Sequence, residues 1–144
     1  FVYNDDRQSL LESGMIVKTP PIRIKTYSVT GNKIYAFGHY YKENFNSDQD
    51  NGFIYTNNNG ASWTYRSFGD YENITFFSSY FSSTNVGYIV GESGHFLKTT
   101  DGGNNWTKID LGTYRNIYDI EMINNDTLIL VGEDGFIYKY NTGN

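Results

Sequence analysis

Four acidic residues are the first candidates for chemistry in this sequence. Asp119 and Glu121 alternate with apolar residues, while Glu92 and Glu133 each follow an apolar run that ends in glycine. Two carboxylates that face each other across a cleft can act as the acid and the base of a glycoside hydrolase. Glu92 and Glu133 occupy the same place in two copies of one pattern, which favours a role in the scaffold or on a solvated turn. The catalytic residues stay unassigned, with Asp119 and Glu121 as candidates.

Arg23 is a second candidate for chemistry, as a substrate-binding residue. It lies in the run Pro21-Ile22-Arg23-Ile24, which resembles the arginine motif of sialidases, although Lys25 stands where that motif has proline. A sialidase site needs three arginines that bind a substrate carboxylate through paired hydrogen bonds, and a tyrosine nucleophile with an acidic partner. The sequence holds few arginines besides Arg23, which disfavours a sialidase: Arg7, Arg66 and Arg115.

A polar segment gives the one candidate for a metal site. Asn46, Asp48 and Asp50 place oxygen ligands at alternate positions before Gly52, a pattern that suits Ca²⁺. The segment lacks the glutamate that completes an EF-hand, and its glycine falls one place late, so a solvated hairpin tip is the alternative interpretation. The sequence has two histidines and no cysteine, which excludes a thiolate zinc site. We therefore expect no cofactor, with Ca²⁺ at this segment as the alternative.

The elements that must position these residues are set by an internal repeat. The pattern Ser/Thr-x-Asp/Asn-x-Gly-x-x-Trp occurs twice, 43 residues apart, about the length of one four-stranded propeller blade. An Asx side chain and a hydroxyl can hold a turn through hydrogen bonds, the glycine supplies an unusual φ, and the tryptophan begins the next strand and covers the sheet edge. We therefore predict a structural role for all eight repeat residues: Thr56, Asn58, Gly60, Trp63, Thr99, Asp101, Gly103 and Trp106.

A second marker divides the chain into blades. An apolar strand that ends in glycine recurs at Gly38, Gly91 and Gly132. We predict the end of a preceding blade over 1–21, blades over 22–68 and 73–111, and an incomplete blade over 116–144. The predicted strands are 24–29, 33–40, 53–56 and 62–68, then 74–80, 86–92, 95–99 and 106–111, then 117–123, 127–133 and 136–141.

These turns, and the run from Gly91 to Trp106, resemble the Asp-box or BNR repeat families, among them sialidases, the photosystem II assembly factor family and xyloglucan-degrading glycosidases. The resemblance implies an all-β fold of β-propeller blades, with the repeated turns on the outer rim. Closed propellers contain about four to eight blades, and this sequence supplies about three. We expect the additional blades to come from the same longer chain, or alternatively from a second copy.

The composition favours a binding module. Tyr40, Tyr41 and Phe45 adjoin the polar insertion, and exposed aromatic rings there would suit a protein partner or a glycan; filling space between blades is the alternative role. The 11 Lys and Arg residues are scattered in a chain of net charge −5, which disfavours nucleic acid. No apolar run approaches the roughly 18 residues of a membrane span. We expect an extracytoplasmic, non-catalytic module that binds a protein or glycan. The alternative is a glycoside hydrolase whose remaining blades lie outside this chain.

Overall fold

The computed structural model describes residues 22–40 and 50–143 of the chain. The predicted end of a preceding blade at 1–21 lies outside these residues, as do Arg7, Tyr41, Phe45, Asn46 and Asp48. Tyr40 ends one strand and Asp50 begins the next, on the two sides of the gap.

Three antiparallel sheets follow one another along the chain, which confirms the all-β class and the propeller-type blades. Sheet one contains β1 (Ile22–Thr30), β2 (Lys33–Tyr40), β3 (Asp50–Thr56) and β4 (Thr64–Ser67). Sheet two contains β5 (Phe76–Phe81), β6 (Gly87–Gly91), β7 (Phe96–Thr99) and β8 (Thr107–Lys108). Sheet three contains β9 (Ile117–Asn124), β10 (Thr127–Gly132) and β11 (Ile137–Asn141). In each sheet the strands pair in sequence order, as expected for hairpins of β-branched and aromatic residues.

Some strands are shorter than the sequence predicts. The predicted strand over 106–111 retains only Thr107–Lys108, because Gly112, at φ +67°, turns the chain and its N–H binds the Asp110 carboxylate. His95, predicted in a strand, lies just before β7, because residues 92–94 form a 3-10 turn. The same turn recurs over 133–135, and a third 3-10 turn spans Gly69–Tyr71.

The first strands of the three sheets lie side by side. The Ser28 hydroxyl of β1 donates to the Ser79 carbonyl of β5 at 2.9 Å. On the other side of β5, the Ser78 hydroxyl donates to the Asp119 carboxylate of β9 at 2.6 Å. The fourth strands of sheets one and two are consequently the outermost.

An aromatic core fills the space between sheets one and two. Tyr35 stacks on Phe81 with ring centroids 4.0 Å apart, and Phe53 meets Trp106 edge to face at 6.2 Å. Burial raises the pKa of the Tyr35 hydroxyl, which donates to the Thr84 carbonyl. Trp106 was expected to cover the sheet edge, and its partly buried ring packs against the rings of Phe68 and Phe81 in this core.

A mainly aliphatic core joins sheets two and three. Its fully buried members are Tyr88, Val90, Phe96, Ile117, Leu128 and Leu130. Side chains alternate along β6, so that Ile89 packs toward sheet one while Tyr88 and Val90 pack toward sheet three. Sheet two is therefore apolar on both faces, as expected for a middle layer in a row of packed sheets.

Repeated turns and a candidate binding groove

The first repeated turn is held by side-chain hydrogen bonds. The Thr56 hydroxyl donates to Asn58 Oδ1 at 2.7 Å and accepts from the Gly60 N–H at 3.0 Å. Asn58 Oδ1 also accepts from the Ser62 N–H at 3.0 Å. The turn joins β3 to β4, the two outer strands of sheet one.

The second turn repeats this network between β7 and β8. The Thr99 hydroxyl donates to the Asp101 carboxylate and accepts from the Gly103 N–H, both at 2.9 Å. Asp101 also accepts from the Asn105 backbone N–H at 2.9 Å and from the Asn105 side chain at 2.7 Å. The geometry is that of a rigid turn held by side-chain hydrogen bonds.

The stability contributed by Asp101 is expected to depend on pH. Hydrogen bonds from the Asn105 side chain and backbone hold the pKa of this carboxyl below its usual value. A lowered folded-state pKa gives stability that is present above the unfolded value of about 3.9 and is lost as pH falls through the folded value. Thermal melts of the parent chain should therefore drop more steeply below pH 4 than those of Asp101→Asn. Parallel melting curves for the two proteins would contradict this expectation. Asparagine is a suitable replacement, because Asn58 holds the equivalent position of the first turn.

Glu92 and Glu133 each act as a clamp within one sheet, between the end of its second strand and the segment before its first strand. The Glu92 carboxylate accepts from the Thr75 N–H at 2.9 Å, and the Glu92 N–H donates to the Thr75 carbonyl at 3.0 Å. Glu133 makes the same pair of bonds with Asn116, at 3.1 and 2.8 Å. Each clamp fixes the segment that leads into the first strand of its own sheet. The identical geometry agrees with the scaffold role that the repeat favours.

Asp119 and Glu121 are exposed on the inner strand β9, opposite Val131 and Ile129 of β10. Asp119 accepts from the Ser78 hydroxyl and from the Ile120 N–H. Strict alternation along this strand would place Tyr118 on the opposite face, with Ile120. A bulge at this point instead leaves Tyr118 exposed, against the ring of Phe77.

The structure does not bring the candidate arginines together. Arg23 is exposed on β1, whereas Arg66 lies on the outermost strand of the same sheet, over the Tyr55 ring at 4.8 Å, and also binds Asn104. Arg115 lies in the connection to sheet three, 3.9 Å from the Asp134 carboxylate. A site with three converging arginines is absent from residues 22–40 and 50–143.

His39 has a basic neighbourhood. Burial lowers the pKa of its imidazole, and the nearby Lys25 and Arg23 lower it further. Across the described ranges, no three His, Asp or Glu side chains are grouped so as to hold a metal ion.

A groove of about 680 Å³ lies where the connection between sheets two and three passes the 133–135 turn. Tyr114 stands 89% exposed at its edge, beside the Arg115–Asp134 ion pair. The groove thus combines apolar, aromatic and charged groups: Leu111, Gly112, Thr113, Tyr114, Arg115, Glu133, Asp134 and Phe136. Sequence reasoning missed this groove, because the 111–115 connection contains none of the repeat residues. The only local signal was a large aromatic residue beside the turn-forming Gly112.

Comparison with known proteins identifies the fold and the family to which these sheets belong. Three antiparallel sheets whose first strands lie side by side, with equivalent turns at the outer side, define a segment of a β-propeller. The family model described as photosynthesis system II assembly factor YCF48 matches residues 36–143, and the chain belongs to this family.

Solved structures show the same fold. A structure titled "YCF48 bound to D1 peptide" matches with a TM-score of 0.68 and 23% identity over 89% of this chain and 40% of that one. YCF48 from Cyanidioschyzon merolae matches with a TM-score of 0.66 and 20% identity over 88% and 39%. This chain therefore spans about two fifths of the length of each. A search of curated proteins gave no match. In the described part of the chain, no helix has the length and apolarity to cross a membrane.

Proposed function

We propose that this chain is a non-catalytic propeller module that binds an extended segment of a partner protein, and that Tyr114 anchors that segment in the groove. The observation that carries the proposal is the exposed ring of Tyr114 at a groove whose lining includes Phe136 and the Arg115–Asp134 ion pair. Rigid aromatic side chains supply much of the binding energy in protein interfaces.

The family supports a protein partner. One solved structure of similar fold carries a peptide of a protein called D1, according to its title. The carboxylates of Glu92, Glu133 and Asp101 hold backbone N–H groups of the scaffold, which supports a structural role for these residues. A complete ring needs blades beyond the three sheets, from the same longer chain or from a second copy. We also propose that the module works outside the cytoplasm.

Peptide binding tests the proposal. The chain is screened for binding to a library of unstructured peptides that includes D1 segments. A glycan array is probed in parallel. We expect peptides to bind and Tyr114→Ala to weaken the binding by about tenfold or more, since one anchoring aromatic contributes about 2 kcal/mol.

Tyr27→Ala is the matched control, because Tyr27 is also an exposed tyrosine but lies on β1, away from the groove. Unchanged peptide affinity in Tyr114→Ala would contradict the groove assignment. Binding to glycans alone would contradict the protein partner. Hydrolysis of a chromogenic glycoside that Asp119→Asn or Glu121→Gln abolishes would replace the proposal with the glycosidase alternative.

A further inference from the structure

The outer edge of sheet two is formed by a short strand. β8 spans Thr107–Lys108 and is the last strand in the order β5-β6-β7-β8, and among the described residues no strand pairs with its outer side. Further blades of a propeller pack against the faces of a sheet, so this edge stays on the outer rim however many blades complete the ring. The edge is therefore a surface that a partner could reach.

The backbone of β8 presents hydrogen-bonding groups toward this edge. The Ile109 N–H donates to the Phe96 carbonyl of β7 at 2.8 Å, and the next pair along the ladder is Lys108 with Leu97. In an antiparallel pair, residues that exchange hydrogen bonds alternate with residues whose N–H and C=O point away from the facing strand. The N–H and C=O of Lys108 consequently point outward, where an added strand could bond to both.

A groove of about 410 Å³ adjoins the same edge. It begins at the end of β8 and is lined by Lys108, Asp110, Gly112, Thr113 and Tyr114. An added Cβ at Gly112 would meet nothing within 4 Å, so the turn leaves open space beside the groove. A segment that pairs with β8 would thus reach the ring of Tyr114 along one continuous surface.

Lys108 gives the edge a preference for one sign of charge. Its side chain is exposed and has no ion pair among the residues that the structure describes. A lysine on an edge strand discourages pairing with the edges of other sheets. Opposite charges at facing positions of two paired strands, by contrast, attract each other. An added strand is therefore favoured if it places a glutamate or an aspartate opposite Lys108.

We propose that the partner segment binds as an additional strand on the outer edge of β8, with an acidic side chain opposite Lys108. This inference rests on the proposed function, since it takes the same class of partner and gives the mode and the charge preference of its binding. Strand addition obtains its affinity from main-chain hydrogen bonds and its specificity from alternate side chains. The outward backbone groups of Lys108 and its charge supply these two contributions.

Peptides with a selectively methylated backbone test the proposal on the unaltered chain. The probes are synthetic peptides of alternating valine and threonine, about ten residues long, with a central glutamate and a terminal phenylalanine. An added strand uses every second N–H for pairing. N-methylation of one alternate set of residues should therefore weaken binding about fivefold or more, whereas methylation of the other set should have little effect. Glutamine in place of the glutamate should weaken binding about twofold or more.

Hydrogen exchange locates the contact on the protein. At a peptide concentration of about ten times the Kd, the Lys108 amide proton should exchange about tenfold more slowly. The Ile109 amide proton should change much less, because it is already bonded to Phe96. Lys108→Pro removes the outward N–H at an edge position, where proline is tolerated, and should weaken binding about fivefold or more. Circular dichroism checks that this variant is folded, and the methylated peptides decide the question if it is not.

Charge reversal tests the preference for an acidic segment. In Lys108→Glu, a peptide with a central lysine should bind more tightly than the peptide with the central glutamate. Lys25→Glu is the matched control, because Lys25 is also exposed but lies on the inner strand β1, away from the outer edge. This control should keep the preference of the parent chain for glutamate.

Failure of this inference can be distinguished from failure of the proposed function. If Tyr114→Ala weakens binding while both methylated sets bind equally, the groove assignment stands and strand addition is overturned. If Tyr114→Ala has no effect while one methylated set loses its affinity, strand addition stands without the Tyr114 anchor. A parent chain that binds none of the peptides would overturn the inference, as would an equal reversal of preference in Lys25→Glu.

Discussion

Replacing Phe53 with alanine is expected to destabilise the fold by about 3–5 kcal/mol. Phe53 is completely buried between sheets one and two and contacts the rings of Phe37, Phe68 and Trp106. The loss combines the transfer free energy of the ring with the cost of a cavity that rigid aromatic neighbours cannot fill. Urea unfolding followed by tryptophan fluorescence measures the effect, since Trp106 lies in the same core.

Tyr114→Ala is the control for this measurement. It also removes an aromatic ring, but one that is almost wholly exposed, so its effect should stay within about 0.5 kcal/mol. If the two substitutions lowered the free energy of unfolding equally, the aromatic core would not be what joins sheets one and two.

Gly94→Ala is expected to destabilise the chain by about 2–5 kcal/mol, through two effects that add. Gly94 has φ +69°, where a non-glycine residue costs about 1–2 kcal/mol. A Cβ there would also lie 2.0 Å from the Thr113 carbonyl oxygen, which is backbone and is held by its neighbours. Relief of such a clash costs about 1–3 kcal/mol more.

Gly135 provides a matched comparison for Gly94. It holds the same place in the equivalent turn, at φ +71°, but a Cβ there meets nothing within 4 Å. Gly135→Ala should therefore cost only the backbone strain, about 1–2 kcal/mol. Chemical denaturation of both variants separates the clash from the strain. Equal losses would show that the approach of Thr113 to Gly94 is not a stabilising contact of the fold.

The sequence predicted the architecture because the repeat residues act locally. Thr99 and Asp101 are two residues apart, and the hydrogen bonds that hold their turn follow from that spacing. Because these hydrogen bonds join residues at most four positions apart, the local sequence is enough to predict the turns. The order of the strands could also be predicted, because the apolar run that ends in Gly91 recurs, ending in Gly132.

Contacts between residues that are far apart in the sequence were harder to predict. The bond between Glu92 and Thr75 joins residues 17 apart, and no local pattern indicates which backbone group a carboxylate will bind. The position of Trp106 in the core depends on Phe53 and Phe81, which belong to two different sheets. The bulge that exposes Tyr118 shifts a strand register, and alternation alone places that ring on the wrong face. The groove beside Tyr114 depends on the same kind of distant contact.

The two side-chain cores link each sheet only to its immediate neighbour, which has a consequence for how the molecule opens. Free energy in such a row divides into nearest-neighbour terms, as in a one-dimensional lattice. Sheet two has a neighbour on both sides among the described residues, while sheet three has one. Within the described part of the chain, transient fraying should therefore start at the two end sheets, and amide protons of β6 should exchange with solvent deuterium more slowly than those of β10.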